Sequence, residues 1–585
     1  MSAGLSVAAP RKYVFKEPTK QLRRGKACLN CRYHKIKCDG VKPVCGSCTR
    51  LPRDEDCEYA GGPSKTKELE QRLADLKARV RELESPEMTS LGTHTPKTFS
   101  MPTFITNSGS DYTSTSPSPR STYVPLLDSP EPPSSIVAML LGNFLPSAQQ
   151  FGFFLHLDRF RSAALQQAPF GDNSRPSPAL LNTAYLWGAH LSPLDALRVN
   201  ETVFLKRALQ QVSVEIPSAI HSTQIMHTIQ AEVLLSMYFF QKNQLLEAEF
   251  HLNGAVSLAQ SAGFHHIRSD RIFSSPVVSV HMETEMFVPP ARDVIEEGER
   301  INGFWAVYCL HRLISITLGT APKCFGGLDT PCREIDTPWP QEYELGLYNG
   351  GVSGHSTIDR FIHDELSTFD LISDLSSYTK AVVILHSATA LTHQFNRGIE
   401  SEDAYAAFTN ECITIDNLIT RFHCSLPPFD SGDFSQSVQK QSSSSARSSL
   451  VLTHILVSCA YMQIQNLFAS CGIFGALDRC LDTAQKVMSI LNDVNQLGLP
   501  PFNPILGTLC AMTCSVFGEQ IARAEMLGSW KYDSPGIISP SSHMDLNLLR
   551  QSFKSGLTTM SILAMDSPLM RYQLGKLQNS YPFIY

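Results

Sequence analysis

Residues 28–57 read CLNCRYHKIKCDGVKPVCGSCTRLPRDEDC, and this stretch holds six of the 16 cysteines in a chain of 585 residues. The spacing is C-x2-C-x6-C-x6-C-x2-C-x8-C, in which each C-x2-C pair can direct two thiolates at one metal ion from the start of a helical turn. Six thiolates are too many for one tetrahedral zinc ion and too few for two separate ones. They suffice for two ions if two of them bridge both metals. The predicted ligands are Cys28, Cys31, Cys38, Cys45, Cys48 and Cys57.

Other uses of six clustered thiols fit the sequence less well. Residues 1–26 lack the apolar core of a signal peptide, so we expect an intracellular chain with reduced thiols rather than disulfides. A RING finger needs eight ligands, an iron–sulfur cluster has a different cysteine spacing, and a catalytic zinc ion needs an open position that this set does not leave. No run of about eighteen or more apolar residues occurs, so we also expect no membrane span.

The net charge of −6 conceals an uneven distribution. Residues 1–50 contain twelve Lys or Arg and two acids, which gives this basic arm and head +10 and leaves −16 for the remaining chain. A small basic head joined to a large acidic body favours contact between the head and a polyanion. A basic tail that only improves solubility is the simpler alternative, but cysteines inside the same head favour a folded binding module.

Residues 64–84 carry a heptad pattern that predicts a coiled-coil dimerisation helix. Leucine at the d positions, with Thr, Leu and Val at a, is typical of two parallel strands. Across such a seam the pairs Lys65–Glu70 and Arg79–Glu84 attract, whereas Arg72–Lys77 repels. A solvated single helix is the alternative, although one of this length is marginal alone. The predicted seam residues are Leu69, Leu73, Leu76, Val80 and Leu83.

Residues 85–135 are predicted to be a disordered linker, because thirty of them are Ser, Thr or Pro and cannot bury enough apolar area to offset the entropy of ordering. From 136 to 585 apolar residues recur at helical spacing, as in 196–212 and 222–241, so we expect a large all-α domain. A disordered insertion is expected near 427–449. The predicted fold class is therefore mostly α: a small zinc-cluster head, a short coiled coil, a disordered linker and a large helical domain.

The cysteine-rich head, residues 27–60, resembles the fungal binuclear zinc cluster of transcription factors. The family pattern C-x-x-C-R-x-R-K-x-K-C-D-G corresponds to CLNCRYHKIKCDG, and KPVCGSC resembles the loop proline and second C-x2-C. The resemblance implies two zinc ions per chain, with Cys28 and Cys45 as bridging thiolates and Pro43 shaping the loop. His34 stands where the family has Arg or Lys, and the last spacer is long and acidic.

The helical body resembles the fungal-specific transcription factor domain, or middle homology region. The segments ERINGFWAVYCLHRLISITLGTAP and REIDTPWP are similar to that domain's helix containing Phe-Trp and its Asp-Ile-Asp-x-Pro close. Helical apolar spacing explains most of this similarity, so we expect Phe304, Trp305 and Tyr308 to pack in the core rather than to contact a ligand. The resemblance marks the body as regulatory.

Together the two resemblances imply a nuclear, zinc-dependent regulator of RNA polymerase II transcription that reads paired CGG-type triplets in double-stranded DNA. Its partners would be a second copy of the chain in a homodimer and the transcription machinery or co-regulators. The helix LNCRYHKIK, residues 29–37, would point its C-terminal end into the major groove, with Lys35 at guanine and His34 beside it. The predicted phosphate contacts are Arg32, Lys37 and Lys42.

Two other classes of function remain open at this point. The helical body could be an enzyme that the zinc head directs to chromatin, but the sequence displays no phosphate-binding glycine loop and no convergent catalytic set. We therefore expect no enzyme activity. Alternatively, the head could be an interaction module in which zinc is structural and no DNA is read.

Overall fold

The chain divides into two compact units, Met1–Pro119 and Arg120–Tyr585. Every regular element among the described residues is a helix, which confirms the predicted mostly-α fold class. The computed structural model describes residues 27–50, 57, 129–218, 222–268, 288–319, 335–341, 356–363, 373–428, 444–496, 503–530, 546–565 and 567–584.

The first unit contains two short helices, α1 (Leu29–Tyr33) and α2 (Gly46–Arg50). The second unit adds short 3-10 turns at Leu145–Phe151, Phe264–His266 and Pro582–Ile584. Its α-helices are α3 (Ser134–Phe144), α4 (Leu157–Ala164), α5 (Pro178–His190), α6 (Asp195–Arg198), α7 (Glu201–Ser218), α8 (Ser222–Gln241), α9 (Leu245–Ser261), α10 (Val294–Leu318), α11 (Thr357–His363), α12 (Asp374–Arg397), α13 (Glu402–Ser425), α14 (Ser444–Ser470), α15 (Ala476–Gln496), α16 (Leu506–Trp530), α17 (Leu546–Leu563) and α18 (Pro568–Ser580).

Helix α10 is largely buried in the core. Every residue from Ile301 to Thr317 except Ala306 is buried, as expected of a helix with apolar neighbours on all sides. It packs against α8, α9 and α12. The Asp293 side chain caps its start by accepting from the Glu296 N–H at 2.8 Å, and Gly319, with φ of 60°, ends it in the left-handed region that glycine favours.

Residues 335–341 lie against α10 and fix its aromatic face. The Trp305 indole N–H donates to the Pro338 carbonyl at 2.6 Å, and the ring stacks on Trp339 with centroids 4.7 Å apart. The Thr337 hydroxyl donates to the Phe264 carbonyl at 2.6 Å. Phe304, Trp305 and Tyr308 are at most 2% exposed, so the prediction that these three side chains pack in the core is confirmed.

The segment predicted as one helix over 196–212 is divided into α6 and α7 at Val199–Asn200. The Asn200 carbonyl accepts from the N–H groups of Val203 and Phe204, and its amide donates to the Ala196 carbonyl at 2.9 Å. A short polar side chain that bonds nearby backbone competes with continuous helix, and this local bond explains the break. Helix α8, in contrast, spans the predicted 222–241.

The structure describes the last residues of the predicted linker and both ends of the predicted insertion. Glu131 pairs with the Arg175 guanidinium at 2.5 Å and accepts from the Tyr185 hydroxyl at 2.7 Å, so the end of the 85–135 segment is fixed on the helical unit before α3 begins. Helix α14 begins at Ser444, inside the 427–449 segment, because its later turns pack against α12. Residues 85–128 and 429–443 lie outside the described residues.

Residues Ser448–Ser470 of α14 are long and apolar enough to cross a membrane, and 72% of this stretch is buried inside the protein. A helix that is buried in a protein core can have the same length and composition as one that spans a membrane. Packing of α14 against α12, α13 and α15 accounts for its apolar character.

Helices α3 and α5 cross at close range over Gly188. A Cβ at position 188 would overlap the backbone carbonyl of Leu140, and the Asn143 amide donates to the Gly188 carbonyl at 3.2 Å. Just below this crossing, Trp187 stacks on Phe151 with ring centroids 4.1 Å apart. Only glycine fits at position 188, because the backbones of α3 and α5 lie too close together there for a Cβ.

We predict that Gly188→Ala destabilises the protein, because the two helices must separate and the stacked aromatic rings beneath must shift. Overpacking of this kind costs about 1–3 kcal/mol. Gly142→Ala, on the facing helix, is the matched control: nothing lies within 4 Å of a Cβ there, so helix propensity should stabilise it by up to about 1 kcal/mol. Thermal unfolding midpoints measure both, and equal midpoints for the two variants would contradict the close-approach interpretation.

Candidate metal centre and nucleic-acid interface

The two C-x2-C pairs each begin a helix and use its N-terminus in the same way. Cys28 caps α1, and its Sγ accepts from the Cys31 N–H at 3.4 Å. Cys45 precedes α2, and its Sγ accepts from the Cys48 N–H at 3.4 Å. Unpaired N–H groups and the helix dipole favour a negative sulfur at this position, so both helices support thiolates.

Four sulfur atoms have the separations of a tetrahedral metal site. The Sγ–Sγ distances are 3.7 Å for Cys28–Cys45, 3.8 Å for Cys28–Cys48, 3.5 Å for Cys31–Cys45 and 3.8 Å for Cys31–Cys48. With zinc–sulfur bonds of about 2.3 Å, the edge of a tetrahedron is about 3.8 Å. The donor set and its spacing therefore fit zinc, for which soft thiolate ligands are suited.

The remaining two thiols adjoin the same cluster. The Cys38 Sγ lies 4.0 Å from the Cys28 Sγ, and the Cys57 Sγ accepts from the Cys45 N–H at 3.3 Å. All six predicted ligands thus pack together, with Cys28, Cys31 and Cys45 fully buried. Four thiols already complete one tetrahedron, so using all six requires a second ion that shares some of them.

Ionisation of the cluster begins at one thiol. Burial opposes ionisation of Cys45, but the Cys48 N–H and the neighbouring thiols outweigh burial and lower its pKa to about 6. Burial raises the pKa of Cys28 and of Cys31. A first thiolate at Cys45 therefore makes the next ones harder to form, and a bound dication would reverse that penalty.

Asp39 ties the two cysteine helices together, a role that the sequence analysis missed. Both oxygens of its carboxylate accept from the Gly46 N–H at 3.0 Å, and one accepts from the Val41 N–H at 3.3 Å. The Gly46 N–H lowers the pKa of Asp39. A Cβ at position 46 would overlap this carboxylate. The sequence signal was the Asp-Gly pair, with Gly40 at φ of 74°, which is typical of a turn.

The helix predicted over 29–37 ends at Tyr33, and the chain then reverses. The Lys35 N–H donates to the Arg32 carbonyl at 3.3 Å and the Ile36 N–H to the Cys31 carbonyl at 3.0 Å. These two bonds form a Schellman motif, with Lys35 in the left-handed position at φ of 52°. Lys35 and His34 therefore lie on the turn after α1 and not within the helix, which corrects the predicted element.

The predicted DNA-contacting side chains all lie on the surface. Arg32 is in the last turn of α1, Lys37 follows the reversal, and the Lys42–Pro43 peptide bond in the loop between the two helices is cis. Arg32, Lys35 and Lys37 form no ion pair with the part of the chain that the structure describes. Their charges are therefore available to a polyanion. The exposed basic residues are Arg32, His34, Lys35, Lys37 and Lys42.

The predicted dimerisation residues lie outside the described residues, as does the basic arm at 1–26. The seam therefore stays a prediction from the heptad pattern. The residues concerned are Leu69, Leu73, Leu76, Val80 and Leu83.

Family comparison identifies two domains in the chain. Residues 26–66 match the fungal Zn(2)-Cys(6) binuclear cluster domain, and residues 144–394 match the fungal specific transcription factor domain. Both resemblances inferred from sequence motifs are confirmed. The first domain holds two zinc ions through six cysteines, which confirms the predicted cofactor. Both matches describe transcription-factor domains, in agreement with the expectation that the chain is not an enzyme.

Similarity to individual proteins is confined to short segments. The chain is 44% identical over 46 residues to chromatin structure-remodeling complex protein RSC30 of Saccharomyces cerevisiae, which covers 8% of this chain and 5% of that protein. It is 34% identical over 79 residues to transcriptional activator protein acu-15 of Neurospora crassa, 13% of this chain and 8% of that protein. It is 44% identical over 45 residues to oleate activated transcription factor 3 of Eremothecium gossypii, 8% of this chain and 6% of that protein.

The chain therefore spans less than a tenth of the length of these relatives. No solved structure shows significant similarity to the chain.

We predict that Asp39→Ala accelerates zinc loss, because the loop between the cysteine helices loses the carboxylate that holds the start of α2. Asp39→Asn keeps the size and one acceptor oxygen, so its rate should lie between the wild type and Asp39→Ala. The time course of zinc transfer from the purified chain to a chromogenic chelator measures the effect. Release from Asp39→Ala at the wild-type rate would mean that the Asp39 contacts do not hold the cluster.

Proposed function

We propose that the chain, whose residues 26–66 and 144–394 match the two domains of the fungal binuclear zinc cluster transcription factors, is a zinc-dependent, sequence-specific, DNA-binding regulator of RNA polymerase II transcription that acts in the nucleus. The observation that carries this proposal is the six-thiol cluster beside an exposed basic turn. The helical unit would then be the regulatory part that contacts the transcription machinery or co-regulators.

The six cysteines would hold two zinc ions and so determine the shape of the head. Cys28 and Cys45 are the proposed bridging thiolates, each at the start of a cysteine helix and each buried among the other sulfurs. Two dications and six thiolates leave the cluster with a net charge of −2. Neighbouring Arg32, Lys35 and Lys37 offset this charge, and the ions supply rigidity and no reaction chemistry.

Binding to DNA would have a sequence-blind part and a sequence-reading part. Arg32, Lys37 and Lys42 are exposed at separate points around the cysteine helices, where each can neutralise a phosphate and release counterions. Lys35 differs from these three residues in its position, because it lies in the Schellman turn where the chain leaves α1. A lysine so placed suits contact with guanine O6 and N7 in the major groove, with His34 beside it.

A single CGG triplet is too short to be unique in a genome, so the proposal includes a homodimer that reads two triplets. The heptads at 64–84 would supply the seam, and the segment between Cys57 and the heptads would set the spacing of the half-sites. A protein without DNA preference would instead be an interaction module. Selection from random duplexes separates the two, because a module would enrich no sequence.

We predict that Lys35→Ala and Arg32→Ala weaken binding in different ways. Lys35→Ala should reduce discrimination between CGG-containing and scrambled duplexes by about 1–3 kcal/mol per half-site. Arg32→Ala should weaken binding to both duplexes alike and reduce the salt dependence by about one unit of slope. Lys35→Arg is the control, since it keeps both the charge and the donors. Titrations at several salt concentrations distinguish these outcomes, and unchanged discrimination in Lys35→Ala would refute the proposed base contact.

The dimer prediction uses one disrupting and one strengthening change. Leu76→Pro removes a helix hydrogen bond at the seam, at a cost of about 3 kcal/mol, and should sharply weaken binding to a paired-triplet duplex while sparing a single triplet. Arg72→Glu converts the repulsive Arg72–Lys77 pair into an attractive one, so it should strengthen dimerisation. Gel-shift titrations on the two duplexes report both effects. Equal losses on single and paired sites in Leu76→Pro would mean that the heptads are not a dimer seam.

A further inference from the structure

The helical unit encloses a cavity of about 490 Å³ beside α10. Its wall comes from the turn before α4, from α8, α10, α12 and α14, and from Asn503. Well-packed protein interiors contain few voids larger than a water molecule, whereas small-molecule sites measure about 300–1,000 Å³. The volume of this partly open cavity lies within the range of small-molecule sites.

One wall presents polar groups that have no hydrogen-bond partner among the described residues. Asp374 and Tyr378, one turn apart on the same face of α12, both line the cavity. Neither the Asp374 carboxylate nor the Tyr378 hydroxyl forms a hydrogen bond or ion pair with the described residues. Burial raises the pKa of Asp374, and no cation is among the causes that act on it. Buried charges are normally paired, and no described cation pairs with this half-buried carboxylate.

A second wall, formed by α10, is apolar and aromatic. Trp305, Cys309 and Leu313 follow one face of α10 at helical spacing, and Ala306 is the one residue of the 301–317 stretch that is not buried. A small side chain at this point leaves the space that a larger one would fill. Phe153, Met237 and Leu452 extend the apolar surface from three other elements.

The charge of the lining favours one kind of occupant. The described lining residues include two acids, Asp374 and Asp158, and neither Lys nor Arg. Both amide atoms of Gln150, on the adjoining turn, are buried without a hydrogen-bond partner among the described residues. The unpaired Gln150 Oε1 carries a cost that a bound molecule with a donor can remove.

We propose that this cavity binds a small organic cation, an amine on an apolar or aromatic body, with Asp374 as its counter-ion. The Tyr378 hydroxyl would accept a second hydrogen bond from the ammonium group, and Phe153 and Leu313 would contact the apolar body. Aromatic faces also attract cations. If the proposed function holds, occupancy of the helical unit would be the signal that the DNA-binding chain responds to; the binding itself does not depend on that function.

The test uses three probes that share an indole ring and differ in charge: tryptamine, tryptophol and indole-3-propionate. Calorimetric titration of the purified full chain should give the tightest binding for tryptamine, with tryptophol at least about tenfold weaker and indole-3-propionate weaker still. Asp374→Asn should lower tryptamine affinity by about 10- to 100-fold, the loss typical of one charged hydrogen bond, and leave tryptophol unchanged.

Asp403→Asn is the matched control, since Asp403 is also an aspartate in the first turn of a helix but is exposed and distant from the cavity lining. It should bind tryptamine like the wild type. Ala306→Leu fills the cavity from the apolar wall and should weaken tryptamine and tryptophol together. Thermal unfolding of each variant verifies that it is folded. Ala306→Leu tests the cavity even if Asp374→Asn is unstable.

Absence of tryptamine binding to the wild type, equal affinities for tryptamine and tryptophol, or full affinity in Asp374→Asn would each overturn the proposal. None of these results bears on DNA recognition, which is measured on duplexes without any probe. Conversely, loss of triplet discrimination would reject the proposed function and leave an amine site in the helical unit intact.

Discussion

Mutual repulsion of thiolates is the constraint on which the head depends, because five of the six clustered sulfur atoms lie 3.5–4.0 Å from a neighbouring sulfur. Among the described residues of the head, only Asn30 and three cysteines are buried, so no apolar core can offset that repulsion. Two dications can offset the repulsion between thiolates. In small zinc domains, metal binding supplies most of the free energy of folding. The two helix N-termini and the Asp39 carboxylate, which holds α2 in place, help to position the sulfur atoms.

The helical unit is stabilised in the opposite way. Its core is continuous and apolar, with α10 buried almost throughout and fixed by aromatic stacking of Trp305 on Trp339. Stability of this unit follows from burial and close packing, so it does not require a metal. The chain therefore joins two units with different physical dependences, and removal of zinc should unfold the first without affecting the second.

Most of the fold class and the thiol set could be predicted from the sequence, because helical periodicity and cysteine spacing are local signals. The 222–241 helix and all six clustered cysteines follow from them. Contacts distant in sequence could not be predicted in this way. The ion pair of Glu131 with Arg175 orders the end of a segment whose average composition indicates disorder, and the break at Asn200 depends on one side chain. The cavity beside Ala306 likewise exists only once five elements have assembled.

The reversal at Lys35 links the metal centre to the proposed base contact. A lysine in the left-handed region costs about 1–2 kcal/mol, and such strain persists where the surroundings impose it. Here the Cys31 carbonyl accepts the bond that closes the turn, while the Cys31 sulfur belongs to the thiol cluster. One residue therefore fixes both the metal and the turn. Since Cys38 must return to the same cluster, the chain has to reverse at this point, and Lys35 is the residue that the reversal places at the exposed end of α1.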